Sequence, residues 1–348
     1  MNPDSLQILE AVRGGTTPDH LATVVRTQGS CYRKPGARLA IAEGQVLAGS
    51  VSGGCVDPSL AMKASWMTRS GARILRLDTA AGGGEEDGLR YPGCGGTLSI
   101  LLERSPGPVV EFLEERCASD SSGVMVTNLS AGGSLPLGAR AFFSSVERGS
   151  NVLLERAQGV ARQALAQGRS SAQTIETEEG DIDVFVEHIR PPTRLFIAGR
   201  HPDVHKLVDL ALLMDWTVTV AGPMGLRSAL RDRCNVLPLE DAAIEAALER
   251  HPESHVIVMT HSVSDDRRVV RAVARAGVRG YVGMLGPDSR RSEVFEPLTS
   301  EAGAFPRPLE SIQSPAGLRL GGDGPEAIAL SLVAGIQAHM HETVLAHA

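Results

Sequence analysis

From Arg194 onward the chain repeats a pattern that leaves few folds open. Short apolar runs lie at Arg194-Leu-Phe-Ile-Ala198, Trp216-Thr-Val-Thr-Val220, Cys234 to Leu237, His255-Val-Ile-Val-Met259 and Gly280-Tyr-Val-Gly-Met-Leu285. Segments of helical period lie between them, at Val204 to Met214, Glu240 to Arg250 and Asp265 to Ala276. Strands that are apolar on both faces and separated by helices predict a parallel, doubly wound sheet with right-handed crossovers. A last helix, Pro325 to about Met340, is expected to pack back on it. Just before this region, Arg190-Pro-Pro-Thr193 continues neither helix nor strand and favours extended linker geometry. The expected domains are therefore residues 1–190 and 191–348.

The first domain reads as α+β. Helical period is seen at Ser5 to Arg13, from Asp57-Pro58 to about Arg69, at Pro108 to Cys117 and at Asn151 to Gln167. Strands are expected at Leu21 to Thr27, Ala72 to Leu77, Thr97 to Leu102 and Val124 to Thr127. Arg38-Leu-Ala-Ile-Ala42 and Gln45-Val-Leu-Ala48 flank Glu43-Gly44, a two-residue hairpin signal, and a second hairpin is expected to turn at Glu179-Gly-Asp181. With 348 residues, 42% hydrophobic and 22% charged, the chain is long and apolar enough for two packed cores. Its net charge of −7 and 3% aromatic content argue against a nucleic-acid surface, which needs clustered cations or stacking platforms. No apolar run reaches membrane-spanning length and Met1-Asn-Pro-Asp-Ser5 has no signal-peptide character, so a cytoplasmic location is expected.

The turn after the first parallel strand, Ala198-Gly-Arg-His-Pro202, stands where a dinucleotide-binding fold places Gly-x-Gly. Arg200 occupies the second glycine's place, and Gly222 stands where an acidic ribose-binding residue is expected, which argues against NAD(P). Arg200 and His201 are candidate contacts for an anion at the sheet's carboxyl edge, or ordinary loop residues. His201 and His205 have the spacing of a metal pair without an evident third ligand. Thr260-His-Ser262 and Leu285-Gly-Pro-Asp-Ser-Arg290 belong to the same edge, where Arg290 and Arg291 either meet phosphate or are solvated.

Five cysteines, an odd number without CxxC spacing, favour free thiols over a disulfide framework or a zinc finger. Cys55 in Gly49-Ser-Val-Ser-Gly-Gly-Cys55 and Cys94 in Tyr91-Pro-Gly-Cys-Gly-Gly96 are set among glycines. Either they fill tight turns, or cleared backbone presents their sulfurs and neighbouring amides to a ligand. Cys55 also precedes a helix N-terminus, where negative charge is favoured. A cysteine-hydrolase arrangement lacks an oriented histidine, since this domain offers only His20 and His188; soft sulfur suits a soft metal centre or its dithiolene.

Gly29-Ser-Cys-Tyr-Arg-Lys-Pro-Gly-Ala-Arg38, Gly49-Ser-Val-Ser-Gly-Gly-Cys55 and Gly93-Cys-Gly-Gly96 closely resemble the XdhC/CoxI family. Tyr281-Val-Gly-Met-Leu-Gly286, Ser314-Pro-Ala-Gly-Leu318 and Gly324-Pro-Glu-Ala-Ile-Ala329 resemble its second half. The resemblance implies an N-terminal α+β domain followed by a Rossmann-like doubly wound parallel sheet. It also implies an accessory protein that binds the molybdenum cofactor, as molybdopterin or its dinucleotide form, and assists its sulfuration and insertion into a molybdenum hydroxylase such as xanthine or carbon monoxide dehydrogenase. The implied partners are the hydroxylase apoenzyme and a cysteine desulfurase, with a homodimer in view. The cofactor-binding set would be Cys55, Cys94, Gly53, Gly54, Gly95 and Gly96, with Arg33 and Arg38 as inferred phosphate contacts, Arg200 and His201 as further contacts, and the two cysteines meeting molybdenum or its sulfur. Four departures stand out: Ala198-Gly-Arg-His201 for Gly-Ala-Gly-His, Gly222 for a usual acidic residue, Thr260-His-Ser262 for Thr-His-Asp, and Cys31 for a common serine. The competing readings are an NAD(P)-dependent oxidoreductase and a cofactor-free adaptor, separable by nucleotide calorimetry.

Overall fold

The computed structural model describes residues 1–78, 95–131, 135–176, 180–301, 303 and 305–346. The chain divides into two compact units, Met1–Pro191 and Pro192–Ala348.

The first unit opens with α1 (Pro3–Arg13), whose start is fixed by the Asn2 side chain accepting the Ser5 amide at 2.9 Å. Next come β1 (His20–Gly29), β2 (Arg38–Ala42), β3 (Gln45–Gly49), α2 (Asp57–Met67), β4 (Arg73–Asp78) and β5 (Gly96–Arg104). The β2–β3 turn is Glu43-Gly44, with both residues at positive φ (53° and 74°), as a type I′ hairpin requires. α3 (Gly107–Ala118), β6 (Gly123–Asn128), β7 (Arg140–Phe143), β8 (Arg148–Gly149), α4 (Asn151–Gln167), β9 (Ser171–Ile175) and β10 (Ile182–Ile189) complete the unit. They form two antiparallel sheets, β3-β2-β1-β5-β4 and β8-β7-β6-β10-β9.

Period-two alternation assigns the faces. Val24, Leu39, Leu75, Leu98 and Ile100 of the first sheet pack against Leu60, Ala61, Ala64 and Met67 of α2. On its reverse face, Val25 and Leu101 meet Phe185 of the second sheet. α4 covers that sheet's outer face, Leu153, Ala157 and Ala161 packing on Val126, Ala141 and Val184. Leu60 is fully buried, so Leu60→Ala would cost about 3 kcal/mol.

In the second unit, β11 (Arg194–Gly199), α5 (Val204–Leu213), β12 (Thr217–Gly222), α6 (Met224–Leu230), β13 (Asn235–Pro238), α7 (Asp241–Arg250), β14 (His255–Met259), α8 (Val263–Arg275), β15 (Val282–Met284), α9 (Asp288–Phe295) and α10 (Pro325–Ala346) alternate. All strand pairs are parallel, in the order β13-β12-β11-β14-β15. Leu195 and Ile197 point to α5 and α10, while Phe196 and Ala198 point to α7 and α8. This is the doubly wound sheet the alternation predicts, and its topological switch lies between β11 and β14. α8 starts two residues earlier than Asp265, because the Ser262 side chain accepts the Asp265 amide and caps it. The sequence reading omits β7, β8 and α6, which are short or carry little apolar period. No helix among the described residues is long and apolar enough to cross a membrane.

Candidate functional site

Antiparallel pairing decides where the glycine motifs meet. β1 ends at Gly29, β2 begins at Arg38, β3 ends at Gly49 and β5 begins at Gly96; the registers Leu39↔Gly49 and Gly29↔Gly96 put all four at one end of the first sheet. The segments 29–38, 49–56 and 95–97 therefore form one loop cluster. Its glycines do two different jobs. At Gly96 an added Cβ would lie 2.5 Å from the Ser30 carbonyl oxygen and 2.6 Å from Cys31 Sγ, so side-chain absence is what lets the loops close. Gly54 (φ 104°) and Gly95 (φ 80°) instead have no atom of the described residues within 4 Å of a built Cβ.

Asp57, at the first turn of α2, holds the Cys55 loop in shape. Its carboxylate is buried and accepts from Ser50 Oγ at 2.5 Å, Ser52 Oγ at 2.8 Å, the Gly54 amide at 3.1 Å and the Val51 amide at 3.3 Å. Four donors saturate its lone pairs, and the loop is fixed around a carboxylate rather than a core. The consequence is at Cys55, whose free thiol stays exposed beside Gly54. The Tyr32 ring, 74% exposed, covers Gly53 and ties the neighbouring loop to this one. Cys31 is buried, its thiol donating to the Gln28 carbonyl at 3.4 Å and the Thr97 carbonyl at 3.5 Å. Cys55 is thus presented to solvent, and Cys94 lies outside the described residues.

Arg33 and Arg38 need correction as phosphate contacts. Arg38 is fully buried: its guanidinium pairs with Glu187 of β10 and donates to Ser5 Oγ at 3.2 Å and the Gly36 carbonyl at 3.0 Å. A side chain sealed in this way tethers the two sheets and cannot reach a docked ligand. Arg33 is committed to Asp4, which also accepts the Arg38 amide at 3.1 Å. Burial pushes the Asp4 carboxyl above its usual range, against the Arg38 amide and the Arg33 charge.

At the carboxyl edge of the parallel sheet the cations are likewise engaged. Arg200 pairs with Asp265 at 2.6 Å. Arg290 donates to Oδ2 of buried Asp266 at 2.8 Å through Nε and at 2.5 Å through a terminal nitrogen, while Asp266 Oδ1 accepts the Thr260 amide at 3.2 Å. Arg291 donates to the Ile312 carbonyl and lies over the Phe295 ring. His201 is exposed and meets His261, not His205, with ring centroids 4.6 Å apart and edge to face. No group of three metal-ligating side chains occurs among the described residues. Gly199 is needed where Val204 of α5 approaches, and a Cβ on Gly222 would lie 2.8 Å from the Gly199 carbonyl oxygen. These glycines pack helix on strand. A cleft of about 260 Å³ does open beside this edge, walled by Leu285, Leu318, Leu320 and Ile328 and floored by Gly321 and Gly322.

The chain is similar in sequence to a protein of Bacillus subtilis (strain 168) named as a probable xanthine dehydrogenase subunit, 26% identical over 333 residues covering 91% of each chain. It is similar in structure to a crystal structure described as a xanthine dehydrogenase from Bacillus halodurans, with a TM-score of 0.74 and 25% identity, covering 98% of this chain and 96% of that one. Residues 195–336 match the XdhC Rossmann domain, and residues 15–78 match the XdhC and CoxI family. The two matched stretches fall one in each unit and together span more than half of the 348 residues, so the chain belongs to the XdhC and CoxI family.

Proposed function

We propose that this chain is an accessory protein of a xanthine dehydrogenase-type molybdenum hydroxylase, and that it receives the molybdenum cofactor at the loop cluster of its first unit. The observation that carries the reading is the exposed Cys55 thiol on a loop held by Asp57, beside glycines whose backbone is open. The donor set fits the cargo: a soft sulfur suits a dithiolene-held molybdenum, and uncovered amides suit its oxygens. When bound, the cofactor supplies a redox-active metal that a hydroxylase needs and free solution degrades. Cys55 would hold its metal or sulfur end, while Gly54 and Gly95 leave room for the pterin, Gly96 lets the loops close beside them and Asp57 keeps the loop from collapsing. Cys94, by its sequence setting, would be the second thiol. The receiving partner would be the hydroxylase apoenzyme and the sulfur donor a cysteine desulfurase, in the cytoplasm, with the chaperone itself a homodimer. An NAD(P)-dependent activity at the parallel sheet finds less support, since Arg200 is tied to Asp265 and Gly222 supplies no ribose-binding carboxylate.

The test is the molybdopterin content of protein purified from a molybdenum-replete host, read as fluorescence of the oxidised pterin with metal by mass spectrometry. The expected result is near-stoichiometric pterin in the wild type and at least tenfold less in Cys55→Ala. Wild-type protein that carries none and takes up none would overturn the proposal.

A further inference from the structure

Arg26 is out of place by the rule of its own strand. Val24 lies opposite Ile100 on the α2-facing side of the first sheet, so simple alternation would drive Arg26 into that apolar core. A β-bulge between Val24 and Arg26 shifts the register, and Arg26 instead stands opposite Ser99 on the reverse face. Bulges are a known device for re-aiming one side chain beside a site.

What Arg26 is aimed into is a cavity of about 90 Å³ lined by Arg26, Thr27, Gln28, Arg76, Thr97 and Ser99. The sheet places these side by side. Arg26, Ser99 and Arg76 form one rung across β1, β5 and β4, and Gln28 and Thr97 share the next rung with Asp78, which does not line the cavity. Two guanidinium groups flanking one hydroxyl repel each other unless an anion lies between them. Among the described residues neither is firmly paired. Arg26 is 3.6 Å from Asp183 with both side chains about 40% exposed, a weak pair. Arg76 is exposed and has no ion-pair partner among the described residues. In a chain of net charge −7, two cations side by side in a walled cleft with one weak ion pair between them and the described carboxylates are a local exception.

We propose that this cleft is a phosphoryl-binding subsite, taking a phosphomonoester or pyrophosphate group through Arg26 and Arg76, with the Ser99 and Thr97 hydroxyls and the Gln28 amide as further donors. Directional N–H and O–H donors on several sides match a tetrahedral oxyanion better than a planar carboxylate, and forked guanidinium groups bind it bidentately. The subsite is contiguous with the loop cluster. Gln28 and Thr97 adjoin Gly29 and Gly96, and their carbonyls accept the Cys31 thiol. In its ligand the inference rests on the cofactor reading above: Arg26 and Arg76 take the phosphate role for which Arg33 and Arg38 are already committed elsewhere.

The test is calorimetric titration of the full chain, at low ionic strength, with inorganic pyrophosphate and with orthophosphate. Arg26→Ala and Arg76→Ala are each expected to weaken pyrophosphate binding about tenfold and the double variant about a hundredfold, with melting curves checking the fold. Arg231→Ala, a charge removed from the second unit, is expected to bind as the wild type does. Pyrophosphate at least tenfold tighter than orthophosphate assigns a diphosphate; equal affinities assign a monoester. If the double variant binds pyrophosphate like the wild type, or the wild type binds none, the subsite is overturned. Pyrophosphate binding lost in the double variant, in a protein that takes up no molybdopterin, would leave the subsite standing and the cofactor reading fallen. Molybdopterin uptake and pyrophosphate binding both undiminished in the double variant would leave the cofactor reading standing and the subsite fallen.

Discussion

The loop end of the first sheet and the carboxyl edge of the parallel sheet are built from the same parts and use them oppositely. Each has glycines at strand ends, a buried aspartate at a helix start and a reactive or basic side chain nearby. At the loop end, Asp57 accepts from the loop's own hydroxyls and amides, so Cys55 is held out with its thiol exposed. At the parallel edge, Asp265 and Asp266 take Arg200 and Arg290, so the cations face carboxylates rather than a ligand. The glycines divide in the same way, Gly54 and Gly95 opening onto space while Gly199 and Gly222 admit a helix. A glycine beside a functional residue marks a ligand site only where nothing else fills the cleared volume.

The largest effects should come from the two aspartates, and they separate the regions. Asp57→Ala leaves four donors unmet, and Asp266→Ala strands the Arg290 guanidinium; each should lower unfolding stability by about 3 kcal/mol in urea titration. Only Asp57→Ala should also abolish pterin retention, measured at a temperature where both variants stay folded. Retention lost equally in both would erase the distinction.

The glycines give the next test. Gly96→Ala should cost about 3 kcal/mol, because backbone atoms and Cys31 cannot retreat, whereas Gly54→Ala pays only backbone strain of about 1 kcal/mol at its positive φ. Equal destabilisation would contradict the division into packing and opening glycines.

Acidification should act on both units with one sign. Burial, then the Arg190 charge, lowers the Met1 amino group from 8.0 to about 5 and His188 from 6.5 to about 4; burial, then His339, lowers His255 from 6.5 to about 4. Each is held unprotonated in the fold while the unfolded chain takes up its proton at higher pH. These contributions are therefore fully present above pH 8 for the amine and 6.5 for the histidines, and are lost as pH falls toward 5 and 4. Unfolding free energies from urea titration should fall between pH 7.5 and 5, by an amount on the order of 2 kcal/mol per group. His255→Leu should flatten that slope.

The sequence is most legible where structure depends on near neighbours. The parallel sheet follows from apolar runs, α4 from its period, and the β2–β3 turn from Glu43-Gly44. What escapes it depends on distant partners. Arg38 looks like an exposed anchor beside a Pro-Gly turn, yet its carboxylate, Glu187, lies 149 residues away on another sheet. Asp57 reads as a first-turn acid, and its hold on Ser50 and Ser52 exists only once the loop folds back. Arg26 is hidden because alternation from Val24 assigns it to the core, and only the bulge reverses that. Cys55, set among glycines, is legible because exposure there is a local property; the structure adds the carboxylate that keeps it so.

The central claim is that ligand binding belongs to the loop end and not to the parallel edge. Titration of molybdopterin into cofactor-free protein, followed by pterin fluorescence, tests it with three variants of unchanged melting temperature. The account predicts that Cys55→Ala loses at least tenfold in affinity while Arg200→Ala and His201→Ala bind within twofold of the wild type. Affinity retained in Cys55→Ala and lost in Arg200→Ala or His201→Ala would contradict it.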